Sequence, residues 1–218
     1  MSRPQALATM LALGLCLCTS MSQGRPEGDY FDARPLFWDK VYPDGGETLY
    51  CGNRFGADRG REINIEHILP MSWAMRKLGC RDRRLCRKKS PLFNQIESDM
   101  HNLYPALKKI NHARSSYAYA EIDGERRRFA ECDFEIDRRK HRVEPRPASR
   151  GNIARAMFYM HDRYGINIYK RQGELLKQWH QEDPPDEQER RRNNVIEQIQ
   201  GSRNKFIDHP ELAKELKF

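Results

Sequence analysis

Past residue 22 the chain lacks any apolar run approaching the ~20 residues that cross a bilayer. That excludes a polytopic membrane protein. It lacks a Cys-x-x-Cys pair, which ranks a structural zinc cluster low. It lacks an internal repeat. It is short of acid: 31 Asp and Glu stand against 39 Lys and Arg, for a formal net charge of +8. Aromatic residues are not lacking, at 10% and spread along the chain, so a 32% charged fraction does not imply wholesale disorder. The 218 residues suit one large domain or two small ones. They are enough to bury a core without disulfides.

The N-terminus has the charged, apolar, small-residue order of a secretory signal. Arg3 is followed by an apolar run over 7–18 and by small residues over 19–24. Small residues are absent where a lipoprotein signal needs them, because Leu15 precedes Cys16 and Leu17 precedes Cys18. The reading is a cleaved signal over 1–22 and one domain over 23–218. A membrane anchor is the rival, and the run is short for one. Cleavage removes Arg3 and no acid, lowering the formal charge from +8 to +7. It also removes Cys16 and Cys18. Cys51, Cys80, Cys86 and Cys132 remain. An even count in an exported chain favours two disulfides. Sequence spacing suggests Cys80–Cys86 and Cys51–Cys132, one of three possible pairings.

Periodicity predicts a short helix over 31–42, a strand over 61–65 and a helix over 71–78. Residues 79–91 read as a basic loop bracketed by cysteines, and 93–98 as a turn or two of helix. A second strand is expected over 100–105, ended by Pro105, then a helix over 106–120. Residues 121–150 read as turn-rich and basic, and three helices follow, over 151–164, 168–179 and 187–200. Trp38, Trp73 and Trp179 are expected in the core.

The unusual polar groups concentrate between 61 and 115. Glu66-His67 ends a strand, Glu97 and Asp99 flank Ser98, His101-Asn102 follow, and Asn111 sits in the next helix. A carboxylate, an amide oxygen and waters suit a hard cation such as Mg²⁺. A nearby imidazole can take a proton from water near neutral pH. Adjacent strand residues face opposite sides, so Glu66 and His67 are expected to share a site only where the strand breaks, near Pro70. Residues 76–89 hold eight basic side chains, Arg81, Arg83, Arg84, Arg87 and Lys88 among them, against the single acid Asp82. Such density favours a polyanion. Further basic runs stand at 126–128 and 138–140. A third, at 190–192, is balanced by Glu187 and Glu189 and reads as a solvated helix face. His101 and Asn102 read as braces for the second strand.

Glu66-His67-Ile68-Leu69-Pro70 resembles the Glu-His-Val-Val-Pro motif of the bacterial endonuclease I family. Glu97-Ser98-Asp99-Met100-His101-Asn102-Leu103 is close to a signature of that family. Asn111, with Arg114 in an Asn-x-x-Arg context, stands at the matching distance, and Arg150-Gly151-Asn152-Ile153-Ala154-Arg155 with Phe158-Tyr159-Met160 resembles its later helix. The similarity covers most of 50–165 and extends more weakly to about 205.

The resemblance implies an α+β fold: a ββα-metal nuclease core with additional helices in a single domain. It implies a periplasmic or secreted, sequence-nonspecific endonuclease acting on DNA, with RNA left open, and leaving 5′-phosphate ends. A monomer with no membrane contact after signal cleavage is expected. By the same resemblance His67 is the general base. Glu66 and Asn111 hold one Mg²⁺, with Mn²⁺ or Ca²⁺ as substitutes. Glu97 assists His67 or the leaving-group proton. Arg83, three residues before Cys86, is the catalytic arginine, with Arg84 as its rival because only five residues separate Cys80 from Cys86. Arg81, Arg84, Arg87, Lys88 and Arg114 are expected on the nucleic acid. The family often shows Cys-Gly-Cys where this chain has Cys51-Gly52-Asn53, and its C-terminal cysteines are missing here. A catalytically silent nucleic-acid-binding protein of the same fold is the alternative reading.

Overall fold

The computed structural model describes residues 28–124, 128–129 and 132–218. The expected signal over 1–22, and Arg126 and Arg127 of one basic run, lie outside the described residues.

The chain opens with α1 (Tyr30–Leu36), closed at its start by a capping box between Asp29 and Asp32 and continued by a π-helical turn, Phe37–Val41. Two short strands, β1 (Gly46–Glu47) and β2 (Arg54–Phe55), pair with each other. The central ribbon follows: β3 (Ile63–His67) pairs antiparallel with β4 (Leu103–Leu107), His67 opposite Leu103 and Glu66 opposite Tyr104. Between these strands lie α2 (Met71–Lys77), α3 (Arg83–Lys89) and α4 (Pro91–Ser98). After the ribbon come α5 (Lys108–Arg114) and a three-stranded sheet of β5 (Ala118–Tyr119), β6 (Phe134–Asp137) and β7 (Arg142–Pro145), with β7 in the middle. Four helices end the chain: α6 (Arg150–Tyr164), α7 (Lys170–Glu182), α8 (Glu187–Gln200) and α9 (Lys205–Asp208).

The ribbon is buried on both faces because it separates two hydrophobic clusters. Ile65 and Leu103 pack with Phe37, Trp38 and Ile196. Ile68, Tyr104 and Ala106 pack with Trp73, Phe158 and Trp179. Trp38, Trp73 and Trp179 are therefore core residues, as expected. The expected α+β architecture, with two antiparallel strands followed by a helix at the centre, is the one observed. Cys51 is bonded to Cys132 and Cys80 to Cys86.

Five local readings change. Residues 121–150, read as turn-rich, hold the antiparallel strands β6 and β7. The basic stretch is not a loop: residues 83–89 form α3, whose Asp82 cap accepts the Leu85 N–H at 2.8 Å. Its last turn carries Arg87, Lys88 and Lys89, which suit the negative end of the helix dipole. Pro105 lies inside β4 rather than ending it, and residues 100–102 form a 3-10 turn instead. The Pro105 carbonyl accepts from the Leu49 N–H on the outer side, so its ring nitrogen also points outward and no ribbon bond is lost. The helix expected to reach residue 120 stops at Arg114, where Ser115 turns to φ +55°. Arg192, expected on a solvated face, is buried over the Tyr104 ring and donates to the carbonyls of Met100 and Leu103 at 2.5 and 2.6 Å.

Candidate active site

Asn64, Glu66 and His67 from β3, Arg83 from α3, Asn111 and Arg114 from α5, and Tyr30 from α1 line one cleft of about 580 Å³. The strand does not break to bring Glu66 and His67 together, since His67 is still paired with Leu103. The two side chains keep different partners, and the cleft reaches both at the end of the ribbon. Beyond His67, the Asn102 side chain holds the departing strand by accepting from Leu69 N and donating to Leu69 O, at 2.7 and 3.1 Å. His101 braces the next turn through Ser202 O at 2.9 Å. The expected bracing role of both residues is the one seen.

The His67 ring is nearly buried, and its Nε2 lies 2.9 Å from the main-chain oxygen of Glu97. A carbonyl only accepts, so Nε2 carries the proton and Nδ1 is left as the basic nitrogen. Burial, followed by the positive charge of Arg83, pushes the His67 pKa down to about 3. The ring is neutral at neutral pH, with the Nδ1 lone pair available; the same shift weakens it as a base.

Glu66 is also buried. Its Oε1 accepts from the Tyr50 hydroxyl at 2.8 Å and lies 3.3 Å from an Arg114 nitrogen. The Tyr119 hydroxyl lies 2.7 Å from that of Tyr50 and 3.2 Å from the Ile68 carbonyl; with the Tyr50 proton on Glu66, the single Tyr119 proton serves one of these two oxygens at a time. Both Glu66 contacts fall on Oε1, so Oε2 is free of side-chain partners among the described residues. Burial pushes the Glu66 carboxyl upward, against the pull of Arg114 and Tyr50. Asn111 donates through Nδ2 to Asn64 Oδ1 at 3.0 Å and to Ile65 O at 3.1 Å. The Ile65 carbonyl can only accept, which fixes the amide orientation and leaves Asn111 Oδ1 without a donor among the described residues. One carboxylate oxygen and one amide oxygen in a water-accessible cleft match the donor chemistry of Mg²⁺, which keeps most of its waters. Among the described residues no cluster of three or more His, Cys, Asp or Glu offers a zinc-type cage.

Arg83 and Arg87 lie four residues apart on one face of α3, and both reach Glu97. The Glu97 carboxylate is fully buried beneath them. Arg87 engages it twice, through Nε at 2.6 Å and Nη2 at 2.8 Å. Arg83 engages it through Nε alone, so its two terminal nitrogens are free of protein acceptors among the described residues. Those two nitrogens can grip a phosphate side-on. Tyr30 covers this corner: its ring is 5.1 Å from the His67 ring and 5.5 Å from the Arg83 guanidinium carbon.

Two expected placements change. Glu97 does not present its carboxylate to His67; the side chain is turned onto the two arginines, and only its carbonyl touches the ring. Arg114 is buried rather than displayed to nucleic acid, because its guanidinium serves the carbonyls of His67 and Ile68 and the Glu66 carboxylate. Of the two candidate arginines, Arg83 lines the cleft and Arg84 does not. Arg81, Arg84 and Lys88 are exposed on and beside α3, and Arg87 is half-buried. Tyr30, Tyr50, Tyr119 and Asn64 were not singled out in the sequence. Tyr50 and Tyr119 stand 69 positions apart and carry no local pattern.

A family model described as Endonuclease I matches residues 32–211. The chain belongs to the Endonuclease I family. A periplasmic deoxyribonuclease of Aeromonas hydrophila is 32% identical over 95% of this chain and 98% of that protein. An extracellular deoxyribonuclease of the same organism is 30% identical over 91% of this chain and 96% of that protein. An extracellular ribonuclease of Bacillus subtilis (strain 168) is 33% identical over 55% of this chain and 46% of that protein. Family membership makes this endonuclease I chain an enzyme, and it agrees with the α+β nuclease core described above. Among the described residues, no helix is long and apolar enough to cross a membrane.

Proposed function

We propose that the protein is an exported, metal-dependent, sequence-nonspecific endonuclease. In this reading it hydrolyses DNA phosphodiesters, leaves 5′-phosphate ends, and works as a monomer in the periplasm or outside the cell after residues 1–22 are removed. The observation that carries it is the division of labour in the His67 ring: Nε2 is tied to the Glu97 carbonyl, Nδ1 has no partner among the described residues, and the residue lines the cleft shared with Glu66, Asn111 and Arg83.

Each side chain has a distinct task. His67 Nδ1 takes a proton from water as the water oxygen bonds to phosphorus and the bond to the 3′ oxygen breaks. The departing 3′ oxygen takes its proton from solvent. Arg83 holds nonbridging phosphate oxygens with its two terminal nitrogens and stabilises their growing charge. Glu97 positions both groups, the base through its carbonyl and the arginine through its carboxylate. Glu66 and Asn111 would hold Mg²⁺, with Mn²⁺ or Ca²⁺ as substitutes, and a bound divalent ion supplies charge stabilisation at the phosphate and the leaving oxygen.

DNA is the proposed substrate because two relatives matched over 95% and 91% of the chain are named deoxyribonucleases. The ribonuclease that matches 55% of the chain keeps RNA as a second substrate to test. A silent binding protein has no support from a site with Glu66, His67, Arg83 and Asn111 all in place. Plasmid nicking with Mg²⁺ and with chelator tests the reading, on duplex, single-stranded and RNA substrates. Chelator-sensitive nicking is expected; salt-dependent binding without cleavage would establish the silent alternative.

A further inference from the structure

We infer that the β6–β7 turn, residues 138–141, is a second phosphate-contacting surface that grips duplex DNA beside the cleft. The inference rests on the nuclease reading above and extends it to how the rest of the duplex is held.

The cleft is large enough for one phosphodiester unit but not for a duplex, so flanking nucleotides must lie against its rim. Ser115 and Ser116 form part of that rim. Two residues after Ser116, the Ala118 N–H donates to the His141 carbonyl at 3.0 Å. β5 and β7 run parallel, with Ala118 opposite Arg142, so both strands begin at the same end of their sheet. The β6–β7 turn therefore stands at the end of the sheet that meets the cleft.

The turn exposes Arg138, Arg139, Lys140 and His141. None of the three basic side chains has an acidic side-chain partner within ion-pair distance among the described residues. The basic run of α8 differs: Arg191 pairs with Glu187, and Arg192 is buried. The one acid within the turn, Asp137, directs Oδ1 to the backbone N–H groups of Arg139 and Lys140, at 3.0 and 2.9 Å, which shapes the turn. It leaves the three cations facing solvent, with an excess of two positive charges.

The turn is also held rigid. His141 sits at φ +53°, a region that a side chain with a Cβ rarely adopts. Its ring stacks on Tyr117 with centroids 4.9 Å apart and planes 9° from parallel. The stack ties the turn to the residue that follows the rim serines. A surface ordered in advance loses less freedom when it binds.

The test is duplex affinity in chelator, read by fluorescence anisotropy on an oligonucleotide duplex across a salt series. Each phosphate neutralised contributes about 0.9 to the slope of log affinity against log salt. The R138Q/R139Q/K140Q variant is expected to lower that slope by about 2 to 3. Its rate on a small phosphodiester, thymidine 5′-(p-nitrophenyl phosphate) with Mg²⁺, is expected to stay within twofold of wild type. H141G, which keeps all three cations, is expected to keep the slope and weaken binding a few-fold. A wild-type slope in the triple variant, with wild-type protein binding DNA normally, overturns the inference alone. Loss of the small-substrate rate in the triple variant overturns it too, because the turn would then belong to the chemistry. No salt-dependent DNA affinity in the wild type overturns the nuclease reading and this surface together.

Discussion

The main-chain oxygen of Glu97 lies 2.9 Å from Nε2 of His67, while the Glu97 carboxylate is turned onto Arg83 and Arg87. One residue at the end of α4 thus sets the tautomer of the base and the position of the phosphate-binding arginine. Its two functional groups work separately, which makes their effects separable by mutation.

If His67 is the base, H67A loses turnover by at least ~100-fold, the lower end for general-base loss. Duplex affinity in chelator stays near wild type, because the ring makes no phosphate contact in this mechanism. Single-turnover cleavage and anisotropy on the same preparation check the pair of outcomes. Near-normal turnover removes His67 from the mechanism.

E97Q keeps the main-chain oxygen and an acceptor for the arginines but removes the charge. It is expected to raise KM and to leave the shape of the pH–rate profile unchanged, since the carboxylate does not touch the imidazole. E97A also removes the acceptor beneath two guanidiniums. Breaking a fully buried ion pair costs about 3–5 kcal/mol, and partial solvation of Arg83 and Arg87 reduces this to roughly 2 kcal/mol. Urea denaturation measures that loss. A pH profile altered in E97Q would restore Glu97 to proton transfer.

Y50F deletes the hydroxyl that fixes Oε1 of Glu66. Groups that orient a metal ligand typically change metal affinity by 10-fold or more when removed. Mn²⁺ titration by calorimetry is therefore expected to show roughly 10-fold weaker binding in Y50F. E66Q serves as the reference for loss of the ligand itself. Equal Mn²⁺ affinity in Y50F and wild type would show that Arg114 orients Glu66 unaided.

Much of the ribbon and its catalytic pair was readable in the chain. Glu66 and His67 end an apolar-polar alternation, and Asn111 falls on a helix because Ile110 and Ala113 give that stretch its buried side. α3 was not readable as a helix: Leu85 and Cys86 are its only apolar residues, too few for a period. Its order comes from the Asp82 cap, the Cys80–Cys86 bond and the Glu97 pairing, and the last two need partners outside the helix. Arg114 looked like a phosphate ligand because burial of a guanidinium leaves no mark in sequence; two carbonyls at the end of β3 decide it. Tyr50 reaches Glu66 only after the chain has turned back over 16 positions, so no spacing rule finds it.

The two disulfides should differ in what their loss does. Cys51–Cys132 closes 81 positions of sequence and Cys80–Cys86 closes six. In the chain-entropy picture the long bridge contributes roughly 4–5 kcal/mol and the short one clearly less. C51S/C132S is therefore expected to lower the thermal midpoint more than C80S/C86S. The short bridge flanks Arg83, so C80S/C86S is expected to lose duplex cleavage at temperatures where the protein is still folded. Circular dichroism melts paired with nicking rates separate the two; equal melting losses would overturn the assignment of roles.

His101 gives a pH dependence of stability away from the cleft. Its Nε2 lies 2.9 Å from the Ser202 carbonyl, its Nδ1 is buried without a partner among the described residues, and its ring packs on Tyr159 at 4.5 Å. Burial dominates and pushes its pKa from 6.5 down to about 4, with Arg192 and Arg163 also lowering it and Asp99 and the Ser202 carbonyl opposing the shift. The unfolded chain therefore binds a proton at higher pH than the folded one, so between pH 6.5 and 4 acid favours unfolding. The stabilising contribution is complete above pH 6.5 and declines as pH falls towards 4, by at most roughly 3 kcal/mol. H101Q keeps a donor for Ser202 O and does not titrate. Urea denaturation at pH 7 and pH 4.5 should show a smaller stability loss in H101Q than in wild type. Parallel losses in the two proteins would place the acid sensitivity elsewhere.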